Sequence, residues 1–121
     1  MASGRVEISG LGDQNTRDAA IARIRRAFPS LSPGRRQDLV DVTAALLTNS
    51  PAHRRPDRLL VELERGRVRG EIAYRGAAIL PGRAKARLRG WVASLESITA
   101  LTRIWGVNDS GSGIWFDLGR N

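Results

Sequence analysis

Between Arg58 and Tyr74 the chain reads "RLLVELERGRVRGEIAY", and no other stretch restricts the fold as much. Side chains on a strand alternate between two faces. Leu59, Val61 and Leu63 share one face here, and Leu60, Glu62 and Glu64 share the other. After Arg65-Gly66, Val68, Ile72 and Tyr74 fall on one face, with Arg67, Arg69 and Glu71 opposite. On a helix these apolar positions would scatter around the axis. The pattern therefore predicts a β-hairpin that turns at Arg65-Gly66, with one face in a core and one in water. Glu and Arg on the wet face would pair across strands, each pair worth roughly 0.5 kcal/mol.

Two helical patterns precede the hairpin. A short strand is expected over residues 5–9, then a loop "GLGDQN". Asn15 is a suitable N-cap, and Asp18 three residues later supports a capping-box-like start. Ile21, Ile24 and Phe28 recur at helical spacing, and Pro29 ends the run. The next helix has Ser32 as its expected N-cap and Pro33 at the first helical position. Leu39, Val42 and Leu46 lie on one face of it. Ala45 and Asn49 fall on the margin of that face, where a pocket could open. An Asn in that place also caps helix ends, and spacing does not separate the two roles.

Beyond the hairpin, "RGAAILPGRA" reads as a loop. A long helix is expected from about Ala84 to Trp105, with Leu88, Trp91, Val92, Leu95, Ile98 and Leu101 as its stripe and Gly106 as its stop. The segment "NDSGSG" is a turn, and "IWFDL" is a closing strand with Ile114, Phe116 and Leu118 on one face. The element order β-α-α-β-β-α-β predicts one α+β domain over residues 1–121. It would be a two-layer α/β sandwich, with a mostly antiparallel sheet and helices on one face.

Composition narrows the chemistry. The chain has 121 residues, 41% of them hydrophobic, which suits a single modest core. No apolar run reaches the roughly 18 residues of a membrane helix, and no secretory h-region is visible, so a cytoplasmic location is expected. Cysteine is absent, which excludes disulfides, thiolate metal sites and a Cys nucleophile. The formal net charge is +8, and Lys85 is the sole lysine among 20 basic residues. Such a field favours acidic partners, whether protein, nucleic acid or anionic membrane. A bias toward Arg codons gives the same excess. His53 is the lone histidine, no Gly-x-Ser-x-Gly elbow exists, and the scattered Asp residues have no metal-ligand spacing beyond Asp38-x-x-Asp41, a pattern more often found on a helix surface.

Two further stretches carry a resemblance. "LTRIWGVNDSGSGIWFDL", residues 101–118, resembles the closing helix and strand of small ATP-binding regulators of the anti-sigma-factor type. These have the histidine-kinase-type (GHKL or Bergerat) ATPase fold. Many actinobacterial members end in Trp-Gly-Val, a Gly-rich turn and Val-Trp-Phe-Glu-Leu. "LLTNSPAH", residues 46–53, resembles that family's N box, Glu-Leu-Val-Thr-Asn-Ala-x-x-His, through Leu46, Thr48, Asn49 and His53.

The departures from the family pattern are as informative as the matches. In the family the N-box Glu is the general base, and that position here is Ala45, whose methyl accepts no proton. Asn49 matches the family's Mg²⁺ ligand, but hard Mg²⁺ prefers several oxygens. The Asp that receives the adenine amino group corresponds to Tyr74, with Gly76 two residues on. Tyr74 would either fill the adenine space or serve as a core aromatic with a polar tip. The phosphate-cradling Gly-x-Gly-Leu corresponds to Val92-Ala93-Ser94-Leu95, where the glycines are lost. Arg83, Lys85, Arg87 and Arg89 lie in the segment matching the lid. They form a possible basic contact surface, or simply the wet side of a helix.

The resemblance thus implies a degenerate member that binds proteins and has lost its nucleotide site. Asn49, His53, Tyr74 and Gly76 would be remnants of that site, and no cofactor or metal is expected. Its partner would be a sigma factor or a STAS-domain antagonist, and homodimerisation is possible. Two alternatives stay open: an ATP-Mg-binding regulator or serine kinase with rewired contacts, and a nucleic-acid binder driven by charge.

Overall fold

A computed structural model describes residues 4–48, 55–75, 96, 98–107 and 113–120. Five strands and two main helices form an α+β fold in the order β1 (Gly4–Ser9), α1 (Gln14–Ala27), α2 (Pro33–Thr48), β2 (Arg55–Glu64), β3 (Arg67–Arg75), β4 (Ile104–Val107) and β5 (Gly113–Arg120). The sheet order is β1-β2-β3-β5-β4, and every neighbouring pair is antiparallel.

The hairpin forms as its alternation requires. Leu59, Val61, Leu63, Val68, Gly70, Ile72 and Tyr74 are buried, and the residues alternating with them are exposed or half-buried. Arg65 and Gly66 have φ of 54° and 77°, the two left-handed positions of a tight hairpin turn. Ile114, Phe116 and Leu118 of β5 join the same core. The helices supply the second layer through Ala20 and Ile24 of α1 and through Leu39, Val42 and Leu46 of α2. Leu11, in the loop before α1, is fully buried, and its N–H donates to the Asp57 carbonyl at 3.2 Å.

Local signals fix the helix starts. The Ser32 hydroxyl accepts the Arg35 N–H at 3.3 Å, and Pro33 opens α2 as expected. For α1 the cap lies two residues earlier than Asn15: Asp13 holds the N-cap position with extended backbone, and Asn15 is already helical. Asp18 accepts from the Gln14 side chain at 2.9 Å and forms no capping box.

The largest departure is near Trp105. The long helix expected to reach that residue ends by residue 101, and Ile104–Val107 pairs with β5 as strand β4. Gly106 stops no helix; it lies inside this strand, opposite Trp115. The helical stripe is real at Ile98, which is buried, and at Leu101, which packs on the core. Leu88, Trp91, Val92 and Leu95 of that stripe lie outside the described residues. The switch has a local cause. The Thr102 N–H and hydroxyl both return to the Ile98 carbonyl at 2.9 Å, and the Arg103 N–H turns to the Asp117 carbonyl at 2.8 Å. From there the backbone bonds of β5 replace those of the helix.

Ion pairing on the wet face also differs in detail from expectation. Glu62 stands opposite Arg69, and Glu64 opposite Arg67. Both arginines nonetheless turn to Asp117 on β5, Arg67 at 3.5 Å and Arg69 at 3.8 Å, and Glu62 faces Arg5 on β1 at 3.9 Å.

Candidate functional site

The expected remnant site sits where the last turn of α2 meets β3. Tyr74 is placed there by strand alternation, on the inward side of β3. It is buried, and its hydroxyl donates to the Leu46 carbonyl at 3.0 Å. Leu46 lies within the last four residues of α2, whose carbonyls have no partner inside the helix. The phenol thus satisfies an orphan acceptor and ties the helix end to the sheet. Burial pushes the phenol pKa well above the ordinary tyrosine range, because the phenolate would lose its hydration.

One turn before Asn49, Ala45 is half-buried and packs its methyl against the core. It offers no proton acceptor. Thr43, on the same helix, is fully buried, and its hydroxyl has no hydrogen-bond partner. Toward the C-terminal end of α2 a cleft of about 280 Å³ opens against α1, lined in part by Gln14, Arg17, Asp18 and Thr48. Its polar side chains bond one another: Gln14 Nε2 donates to Asp18, and an Arg17 guanidinium N–H donates to Gln14 Oε1 at 2.8 Å.

Of the residues expected to form the remnant, Tyr74 is thus placed. Asn49, His53 and Gly76 lie outside the described residues, as do Arg83, Lys85, Arg87, Arg89 and the Val92-Ala93-Ser94-Leu95 stretch. Among the described residues, no three His, Cys, Asp or Glu side chains cluster as a metal site requires. No described helix is long and apolar enough to cross a membrane.

A second place emerges on the other face of the sheet. A concavity of about 200 Å³ lies between Leu60 on β2 and Trp115 on β5, with Glu62, Arg69 and Glu71 around it. Gly70 and Phe116 close its floor. Trp115 is half-buried and stands opposite both Glu71 and Gly106. Its ring lies over Gly106: a Cβ there would meet indole atoms at 2.8–3.0 Å. Nothing in the periodicity pointed to this concavity. The available signal was Trp115 itself, the aromatic that alternation sends outward between Ile114 and Phe116.

Comparison with models of known protein families and with curated proteins finds no match for this chain.

Proposed function

We propose that this chain is a non-catalytic regulator that works by binding another protein, a degenerate relative of the anti-sigma-factor type with the histidine-kinase-type ATPase fold. One observation carries this reading. The side chain at the position matching the adenine-binding Asp is Tyr74, buried in the core and bonded to the Leu46 carbonyl. A group committed to holding a helix end does not receive an adenine amino group. Ala45 supports the same reading, since a methyl stands where the family's general base would act.

The partner implied by the resemblance is a sigma factor or a STAS-domain antagonist, and the setting is the cytoplasm. The net charge of +8 would speed association with an acidic partner and sharpen its selection more than it would tighten the complex. Neither ATP nor Mg²⁺ has a part in this reading.

Calorimetric titration of the folded protein with Mg-ATP and Mg-ADP to millimolar ligand tests it. The expected result is no binding heat. Saturable binding at micromolar nucleotide would overturn the reading in favour of a rewired ATP-binding regulator or kinase. A duplex-DNA titration whose affinity falls steeply with salt would instead favour the charge-driven alternative.

A further inference from the structure

One end of the sheet carries an excess of positive charge. Strand pairing puts Arg67 directly opposite Arg120, two like charges that repel. Arg65 stands just before them at the hairpin turn, with φ of 54°. A left-handed turn position favours Asn, Asp or Gly, so the turn itself does not select arginine. Arg103 reaches the same end: its side chain lies against Gly119, 3.6 Å from where a Cβ would stand. Arg35, in the first turn of α2, donates to the Arg120 carbonyl at 2.9 Å.

The acids at this end do not balance these bases. Asp38 faces Arg35 at 3.6 Å. Asp117 is shared by Arg67 and Arg69, and one of its oxygens also accepts the Gly119 N–H. Glu64 is exposed beside the turn. Arg65, Arg103 and Arg120 are exposed, and among the described residues none of the three forms an ion pair. Next to Arg103, Ile104 is 52% exposed, a bare apolar side chain on the outermost described strand. A codon bias toward arginine gives no reason for three unpaired ones to meet beside a bare isoleucine.

We infer that this end of the sheet docks an acidic segment of a partner protein, with carboxylates on Arg65, Arg103 and Arg120 and an apolar side chain on Ile104. Charge complementarity sets the sign of the occupant. Guanidinium groups take carboxylates through charge-assisted bonds, and an acid placed here relieves the repulsion between Arg67 and Arg120. A phosphodiester backbone also satisfies guanidinium groups, but it offers no apolar cover to Ile104. The isoleucine therefore selects a polypeptide over a nucleic acid. A second copy is disfavoured because its net charge of +8 has the same sign. The inference rests on the protein-binding reading above and adds to it a place and a kind of segment.

The test is NMR titration of the full ¹⁵N-labelled chain with acetyl-Glu-Glu-Leu-Glu-Glu-amide to millimolar concentration at fixed ionic strength. The same peptide with Gly for Leu, the peptide with Lys for every Glu, and a single-stranded DNA pentamer serve as comparisons. The Leu peptide is expected to shift the amides of Arg65, Arg103, Ile104 and Arg120 saturably, with affinity falling as salt rises. Arg103→Gln with Arg120→Gln should weaken it by about fivefold or more, and Arg55→Gln, at the opposite end of β2, should not. Amides away from this end should stay in place in the double variant, which separates lost docking from lost fold. Ile104→Ser should remove the preference for the Leu peptide over the Gly peptide.

Equal binding by the DNA pentamer would overturn the proposal in favour of a nucleic acid. Equal binding by the Lys peptide, shifts spread over the whole surface, or none at this end would overturn it as well. Shifts of this end with protein concentration alone would do so by making a second copy the occupant. A chain that takes up no nucleotide and ignores the acidic peptide keeps the regulator reading and loses this one. A chain that binds Mg-ATP and also docks the acidic peptide at this end does the reverse.

Discussion

Phe116 lies directly opposite Gly70 in the sheet, and its ring covers the place where a Cβ of Gly70 would stand. Gly70 has an ordinary negative φ, so this contact, not backbone freedom, requires glycine here. Gly70→Ala would drive a methyl into a fully buried ring. The expected loss is about 1–3 kcal/mol of stability. Urea unfolding of the two proteins measures it; equal midpoints would mean that the ring repacks freely.

Tyr74 contributes in two separable ways. Tyr74→Phe keeps the ring and leaves the Leu46 carbonyl without its donor. The cost expected is about 1–3 kcal/mol, and Tyr74→Ala should cost about 3–5 kcal/mol through the cavity it leaves. The phenol also sets an alkaline limit. Its folded pKa is raised above the unfolded value of about 10, so the stabilisation is complete below that pH. Above it the unfolded chain loses the proton and the folded one keeps it, so stability falls as pH rises. In Tyr74→Phe that part of the alkaline decline should vanish from melting curves.

Thr43 holds a buried hydroxyl with no partner. Valine has nearly the same shape and no polar atom. Thr43→Val should therefore raise stability, by about 1 kcal/mol. A lower melting temperature in the variant would show that the hydroxyl has a partner in solution.

Asp117 anchors an irregularity. Val68 pairs with Gly119 and Arg69 with Asp117, so Leu118 is the extra residue of a bulge. Gly119 has φ of 80°, and its N–H donates to Asp117 Oδ1 at 2.6 Å. Asp117→Ala frees that donor and strands Arg67 and Arg69, with an expected cost of about 2–3 kcal/mol. Glu62→Ala, which removes one exposed pair, should cost less than about 1 kcal/mol. Similar losses in chemical denaturation would refute this ranking.

On the proposed family reading, placing acids at the two matching positions, as Ala45→Glu with Tyr74→Asp, should produce no ATP turnover. It exchanges a bonded phenol for a carboxylate in a buried place, and the variant should melt well below the parent. Turnover above background in a phosphate-release assay would show that the pocket persists.

The fold was legible wherever two periods were clean. The alternation from Leu59 to Tyr74 and the helical spacing of Leu39, Val42 and Leu46 place these residues in the core they occupy. The sequence misled at Trp105. An apolar residue at helical spacing from Ile98 and Leu101 fits a helix, yet Trp105 pairs with Phe116 of the next strand, β5. The helical period runs on through Trp105 and hides the point where the backbone changes to this strand pair. The Tyr74–Leu46 bond was equally hidden, because it joins residues 28 positions apart through a backbone carbonyl that every residue possesses. The outer concavity depends on cross-strand register, which only the assembled sheet defines.

The sheet order has a consequence for how the chain is made. β5 lies between β3 and β4, yet it is the last of the five strands to be synthesised. While residues 113–120 are still in the ribosome, the hairpin has an unpaired edge along β3, and β4 has no strand partner at all among the described residues. Phe116 is also missing from the core at that stage. Nascent chains stalled before residue 113 should therefore be easily proteolysed and ready to pair with one another. Release of β5 closes the β3 edge and fills the core in one step.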